Sequence, residues 1–312
     1  MIRVGTRASA LARWQTNELL RLWRLRGSLL EFEVITLSTI GDDRFDVPLE
    51  RMEGTGFFTS TIERAILDHH IDVAVHSYKD LPIATTGQLV VAAVPARGPV
   101  EDVLCSLDRY ALADLPTGAR VGTSSLRRMA QLRALRPDLE YVPLRGNVET
   151  RLSRLKLGDL NAVVLARAGI ERLGLGDRIS EVFSIRQMLT APAQGALAAQ
   201  VRADDVQLRR DLAGIEHEPT RRAVDTERAV LHALRGGCSV PIGAFAQVSG
   251  ESVIVDAGVF ALDGIRRLRV SVAGDAPAAT GIEAARQLLE HGAMAILAEV
   301  ERRPGFEPEP GA

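Results

Sequence analysis

Short runs rich in Val and Ile alternate with runs of helical period along two thirds of this chain, and most strand-like runs end in a polar turn. Phe32 to Leu37 alternates as a strand does, whereas Ala10 to Arg26 carries Leu11, Trp14, Leu19, Leu22 and Trp23 at helical spacing. Arg3-Val4-Gly5, Val73-Ala74-Val75, Arg120-Val121-Gly122, Tyr141 to Leu144, Ala162 to Ala166 and Ala196 to Val201 read as further strands. Helices are expected from Phe57 to Asp68, from Leu126, and after Arg145-Gly146-Asn147 and Arg167-Ala168-Gly169. This alternation restricts the chain to an α/β fold with mainly parallel sheets, since parallel neighbours are ordinarily joined through a crossover helix. Ligands of such sheets bind beyond the carboxyl ends of the strands.

A chain of 312 residues exceeds what one core holds, which is about 250–300 residues. Residues 1–95 form one strand–helix unit, and 196–214 return a strand to it; 100–190 form a second unit. From 218 to 312 the pattern changes to a helix (Pro219 to Leu234), three strands (Gly243–Val248, Val253–Phe260, Arg266–Val272) and two helices, a smaller α+β domain. Thr39 to Gly56 has no period, and a loop of that length in a compact domain reads as a lid or a disordered segment.

No run reaches the roughly 18 apolar residues of a membrane span. The segment Met-Ile-Arg-Val-Gly-Thr-Arg has no signal-peptide stretch, so a cytoplasmic protein without a membrane partner is expected. A net charge of −2 argues against nucleic acid as a partner. His69, His70 and His76 lack metal-ligand spacing, and no metal is expected. Of 38 basic residues only Lys79 and Lys156 are lysines; the arginines are permanently charged planar forks suited to carboxylates or phosphates.

Those arginines gather at strand ends. Thr123, Ser124 and Ser125 lie at a helix start, followed by Arg127 and Arg128; Arg7 and Ser9, Arg145 and Arg151, and Arg167 and Arg172 occupy matching places. Cations on a first helical turn oppose the helix dipole, which points to a ligand supplying the negative charge, although hydroxyl caps and a solvated arginine face would leave the same pattern. Asp80, in the loop after a buried strand and beside Lys79, is either a carboxylate held ionised to stabilise positive charge or a turn-forming partner of Lys79. Cys105 reads as a buried filler. Cys238, in Gly236-Gly-Cys-Ser-Val-Pro241, sits on a tight turn as an attachment point or a nucleophile, or simply fills the turn.

Six stretches in order carry a resemblance: Gly5-Thr-Arg-Ala-Ser-Ala-Leu-Ala-Arg-Trp-Gln15, Val75-His-Ser-Tyr-Lys-Asp-Leu-Pro82, Val121-Gly-Thr-Ser-Ser-Leu-Arg-Arg128, Leu144-Arg-Gly-Asn-Val-Glu-Thr-Arg-Leu152, Ala193-Gln-Gly-Ala196, and Glu227-Arg through Gly236-Gly-Cys-Ser-Val-Pro-Ile-Gly243. From Arg3 to about Val300 the chain is similar to the porphobilinogen deaminases (hydroxymethylbilane synthases). The resemblance implies two domains like type II periplasmic binding proteins plus the smaller C-terminal domain, acting as a monomer. It implies a dipyrromethane cofactor held through a thioether to Cys238. Onto this primer four porphobilinogen units are joined head to tail, each losing ammonia, before water releases hydroxymethylbilane.

By position, Asp80 matches the family's catalytic aspartate, which would stabilise the cationic ring left when ammonia departs. Lys79, Ser77, Thr123, Ser125, Arg127, Arg128, Gly146 and Arg151 match cofactor-binding positions, and Arg7, Ser9, Arg145, Arg172 and Gln194 substrate-binding ones. The chain departs from the family at Gly54-Thr55-Gly56, where a lysine usually stands at the centre, and at Ala10, often a proline; Arg51 keeps the charge of a frequent lysine. Two other readings share parts of the pattern: a non-enzymatic anion-binding protein of the periplasmic type, and a transferase using Cys238 as a transient nucleophile.

Overall fold

The structure, a computed structural model, describes residues 1–27, 30–38, 60–83, 87–234 and 240–302. The expected lid, with Arg51 and Thr55, and the Cys238 turn lie outside these residues. In chain order the first elements are β1 (Ile2–Arg7), α1 (Ala10–Leu25), β2 (Phe32–Leu37), α2 (Ser60–Leu67), β3 (Val73–Ser77) and β4 (Leu89–Ala93). There follow β5 (Asp102–Ser106), β6 (Arg120–Gly122), α3 (Leu126–Leu135), β7 (Glu140–Val142), α4 (Val148–Lys156), β8 (Ala162–Ala166), α5 (Arg167–Arg172) and β9 (Glu181–Val182). The chain returns through β10 (Leu197–Arg202) and α6 (Val206–Ala213). It closes with α7 (Glu218–Ala233), β11 (Ile242–Ser249), β12 (Ser252–Phe260), β13 (Arg267–Gly274), α8 (Pro277–Glu290) and α9 (Ala293–Glu301).

Two five-stranded sheets share one plan. The first runs β2-β1-β3-β10-β4 and the second β7-β6-β8-β5-β9. In each, three strands are parallel and the fourth enters antiparallel, so its first residue lies beside the carboxyl end of its neighbour. Leu197 of β10 pairs with Ser77 of β3, and Asp102 of β5 pairs with Ala166 of β8. The fourth strand of the first sheet is reached only after the second sheet is complete, and the chain therefore crosses between them twice. The crossings touch where the Gly98 N–H donates to the Gly195 carbonyl at 3.1 Å. Gly195 has φ +86, and a Cβ there would meet the Pro99 carbonyl oxygen at 2.6 Å; only glycine fits.

The polar turns after the strands serve first as helix caps. Ser9 accepts from the Ala12 N–H, Ser125 from Arg128 and Asn147 from Thr150, which satisfies donors a helix start leaves open. The third sheet is the antiparallel meander β11-β12-β13, with α7 and α8 over it and a core that includes Val230, Val255, Ala284 and Leu288.

Three strands escape the sequence reading. Leu89–Ala93 and Asp102–Ser106 lack alternation, because β5 is buried along its whole length and β4 at both ends, and Glu181–Val182 is two residues long. Periodicity is silent on such runs. The strand expected over Tyr141–Leu144 ends at Val142, because Pro143 has no N–H for the ladder. Cys105 is fully buried in β5, where desolvation pushes its thiol up to about 12.

Candidate active site

The carboxyl ends of both parallel sets face one cleft, which holds two cavities. The larger, about 500 Å³, is lined by Arg7, Ser9, Ser77, Arg145, Gly146, Arg151 and Arg172 together with Lys79, Asp80 and Arg128. The smaller, about 190 Å³, is lined by Ser125, Arg127, Gln194 and the apolar Leu81, Leu231, Val240 and Ile242, with Lys79, Asp80 and Arg128 again. Those three residues form the wall between the cavities. Among the described residues Asp80 is the one carboxylate in either lining.

Asp80 sits in a single 3₁₀ turn, Tyr78–Asp80, that leaves β3 at Ser77. Lys79 does not pair with it. Its Nζ donates to Gln194 Oε1 at 3.1 Å, and Gln194 Nε2 donates to Asp102 Oδ1 at 3.0 Å and to the Val100 carbonyl at 2.7 Å. Burial pushes Lys79 down to about 8; Asp80 and Asp102 work against that shift, while Arg128 and Arg127 add to it.

Asp102 explains the arginines on the first turn of α3. Arg127 Nη1 donates to Asp102 Oδ2 at 2.7 Å, and Arg128 Nε and Nη2 donate to Oδ1 at 2.9 and 2.7 Å. The negative charge required there is thus internal, which corrects the expectation that a ligand must supply it. Burial alone would raise the Asp102 carboxyl, but the two guanidiniums overcome it and hold the group well below the usual carboxylate range. Asp102 went unseen in the sequence because its strand did; the available signal was an acid opening the apolar run Val103-Leu104-Cys105.

Arg151 and Arg172 are arranged differently. Arg151 Nε donates to the Gly146 carbonyl and Arg172 Nη2 to the Gly195 carbonyl, both at 2.7 Å. Gly146 has φ +106, which turns that carbonyl toward Arg151. Desolvation pushes both guanidiniums down to about 10; among charged neighbours, Asp80 opposes the shift at Arg151 and Glu18 at Arg172. The Arg172 guanidinium also lies 5.4 Å from the centre of the Trp14 ring, across the cleft.

The structure does not bring every expected residue to the cleft. Thr123 is buried and lines neither cavity; its Oγ1 accepts from the Ser125 N–H at 3.2 Å. Arg167 is engaged by Glu171 and Glu101. Ser124 joins two loops, bonding the N–H and carbonyl of Leu144. His76 is buried in β3, and desolvation pushes it down to about 4, so it is neutral. Gln15, missed in the sequence, lines the larger cavity and donates to Ser77 Oγ at 2.7 Å. Among the described residues no group of acids, histidines and cysteines could hold a metal ion, and no helix is long and apolar enough to cross a membrane.

Two crossed α/β units closing on a cation-lined cleft, with a third unit reaching its wall, define a two-lobed protein with a site suited to an anion. Residues 2–210 match the family model "Porphobilinogen deaminase, dipyromethane cofactor binding domain", and residues 222–290 match "Porphobilinogen deaminase, C-terminal domain". The porphobilinogen deaminase of Moorella thermoacetica is 45% identical over 306 residues, covering 97% of this chain and 98% of that one. That of Mycobacteroides abscessus is 45% identical over 309 residues, covering 95% and 99%. Among solved structures, a putative methionine-binding lipoprotein from Bacillus subtilis aligns over 69% of this chain and 90% of its own, at 17% identity and a TM-score of 0.43. The chain belongs to the porphobilinogen deaminase family.

Proposed function

We propose that this chain joins four porphobilinogen molecules head to tail on a dipyrromethane primer tethered through Cys238, and releases hydroxymethylbilane. The observation that carries the reading is Asp80, among the described residues the one carboxylate lining two cation-rich cavities, in the wall that separates them.

The lining fits the cofactor. Each pyrrole ring carries an acetate and a propionate, so two rings bring four carboxylates; among the described residues the larger cavity is lined by Arg7, Arg128, Arg145, Arg151, Arg172 and Lys79 against a single acid. The hydroxyls of Ser9, Ser77 and Ser125 and the backbone around Gly146 complete the set of partners; Thr123 supports it through Ser125. Leu231 and Val240, which precede and follow residues 235–239 in the chain, line the smaller cavity. When bound, the dipyrromethane would supply the terminal pyrrole carbon that receives the first ring, and each later ring would join the one added before it.

Asp80 holds a negative charge where the porphobilinogen ring becomes cationic as its aminomethyl C–N bond breaks. It also accepts a hydrogen bond from the pyrrole N–H. Guanidiniums fix the ring carboxylates and hence its orientation. Gln194 holds Lys79 turned aside from Asp80. Leu81, Leu231, Val240 and Ile242 give the smaller cavity an apolar face near the carboxylate. The proton lost from the receiving ring balances the one carried away by ammonia.

We assign residues 1–95 with 196–214, 100–190 and 218–312 to three domains, and take the enzyme to act as a cytoplasmic monomer on a small molecule. A non-enzymatic anion binder is not favoured, because the family is one of enzymes. Intact mass spectrometry with an assay of porphobilinogen consumption tests the reading. Wild type and Asp80→Asn should both be heavier than their sequence by a dipyrromethane, Cys238→Ser should not, and only wild type should turn over. An active, unmodified wild type would sink it.

A further inference from the structure

The Asp80 turn is gripped from the third domain. Arg228, on α7, donates from Nη1 to the Leu81 carbonyl at 3.1 Å and from Nη2 to the Pro82 carbonyl at 2.6 Å. Its guanidinium carbon lies 4.7 Å from the centre of the Tyr78 ring. One side chain thus touches the residue two before Asp80 and the two residues after it. A guanidinium suits this place because its edge presents two donors to successive carbonyls while its face stacks on an aromatic ring. An ammonium has no planar edge or face and would hold this arrangement less rigidly.

The neighbouring residue fixes the other side of the site. Glu227 is fully buried and takes both Nη atoms of Arg97, at 2.8 and 2.9 Å, and the N–H groups of Ala193 at 2.6 Å and Ala246 at 2.8 Å. Ala193, strained at φ +62, leads into Gln194, the partner of Lys79. Consecutive residues of α7 therefore anchor the Asp80 turn and the crossing that orients Lys79. The same helix carries Leu231 into the smaller cavity, and Cys238 follows Arg228 by ten residues in the sequence.

We infer that Arg228 is a positioning residue for the reaction, one that sets Asp80 against the domain carrying the tether. It touches no reacting atom and acts through the carboxylate, and so rests on the role proposed for Asp80.

In the full-length, cofactor-loaded enzyme, Arg228→Gln should lower kcat for porphobilinogen at least tenfold with KM within twofold of wild type, and intact mass should show the dipyrromethane in place. Arg228→Lys, which keeps the charge but not the planar two-donor edge, should fall between. In an Asp80→Glu background, where the carboxylate is already displaced, Arg228→Gln should lower kcat less than twofold further, since both changes act on one geometry. A kcat within twofold of wild type in Arg228→Gln, an additive loss in the double variant, or a KM rising in step with the loss overturns the inference. If Arg228→Gln does not fold, a full wild-type kcat in Arg228→Lys overturns it instead. Asp80→Asn separates the two levels: near-normal turnover there removes the role of Asp80 itself, whereas a dead Asp80→Asn beside an unimpaired Arg228→Gln removes Arg228 alone.

Discussion

Two pairs of arginines line the same cleft and are held in opposite ways. Arg127 and Arg128 share the carboxylate of Asp102, so their charge is matched inside the protein. Arg151 and Arg172 are fixed by the carbonyls of Gly146 and Gly195 and stay burdened by desolvation. A buried cation without a carboxylate gains most when a ligand brings one, whereas a matched cation gains little. The first pair therefore builds the floor of the site and the second pair is where ring carboxylates gain most. The difference follows from strand order: β5 enters antiparallel and brings Asp102 to the start of α3, while Glu101 just before it pairs with Arg167 and leaves Arg172 to the Gly195 carbonyl.

Asp102→Asn should break the comparison most strongly. Both guanidiniums would stay buried with half their partner gone, a loss of about 3–5 kcal/mol, visible as a lower urea midpoint with an unchanged slope. A shift under about 0.5 kcal/mol, the range of an ordinary surface substitution, would mean the pair is not charge-matched as described. The pH dependence has the same sign. Asp102 is held below its unfolded value, so its contribution is complete above the ordinary carboxylate range and lost as pH falls below it. The Asn variant should accordingly show a flatter loss of stability in acid.

Arg151→Leu and Arg172→Leu should do the reverse. Each removes a charge-assisted contact of about 1.5–3 kcal/mol with a carboxylate, so KM for porphobilinogen should rise about tenfold to a hundredfold while stability falls by less than about 1 kcal/mol. A large drop in stability with KM unchanged would place this pair with the other.

The smallest effect concerns Lys79. Its folded value of about 8 lies below the ordinary 10.5, so in the free enzyme the ammonium is lost as pH rises through 8. The unfolded chain keeps its proton to higher pH, and stability should rise slightly between these values. Binding should weaken over the same window by a few fold in KM, and Lys79→Arg should move that limb to higher pH. An alkaline limb unchanged in Lys79→Arg would assign it to another group.

Much of this molecule was legible in its sequence. The alternation of Phe32–Leu37 and the helical spacing through Trp14 and Trp23 reflect local geometry, and the turns at Ser9, Ser125 and Asn147 announce caps because a helix start leaves donors open wherever it sits. Val103-Leu104-Cys105 had no such signal, since a strand buried along its whole length shows no alternation. Asp102 was hidden with it, and with it the reason Arg127 and Arg128 stand on a first helical turn.

The sequence by itself determined that this chain forms strand–helix units and that cations, hydroxyls and Asp80 collect at strand ends, because these follow from contacts a few residues apart. The tertiary structure alone decided which arginines are matched within the protein, that Lys79 turns to Gln194 and not to Asp80, and that Arg228 grips the Asp80 turn. Those contacts join residues 25 to 147 positions apart, and strand order and the double crossing between sheets bring them together.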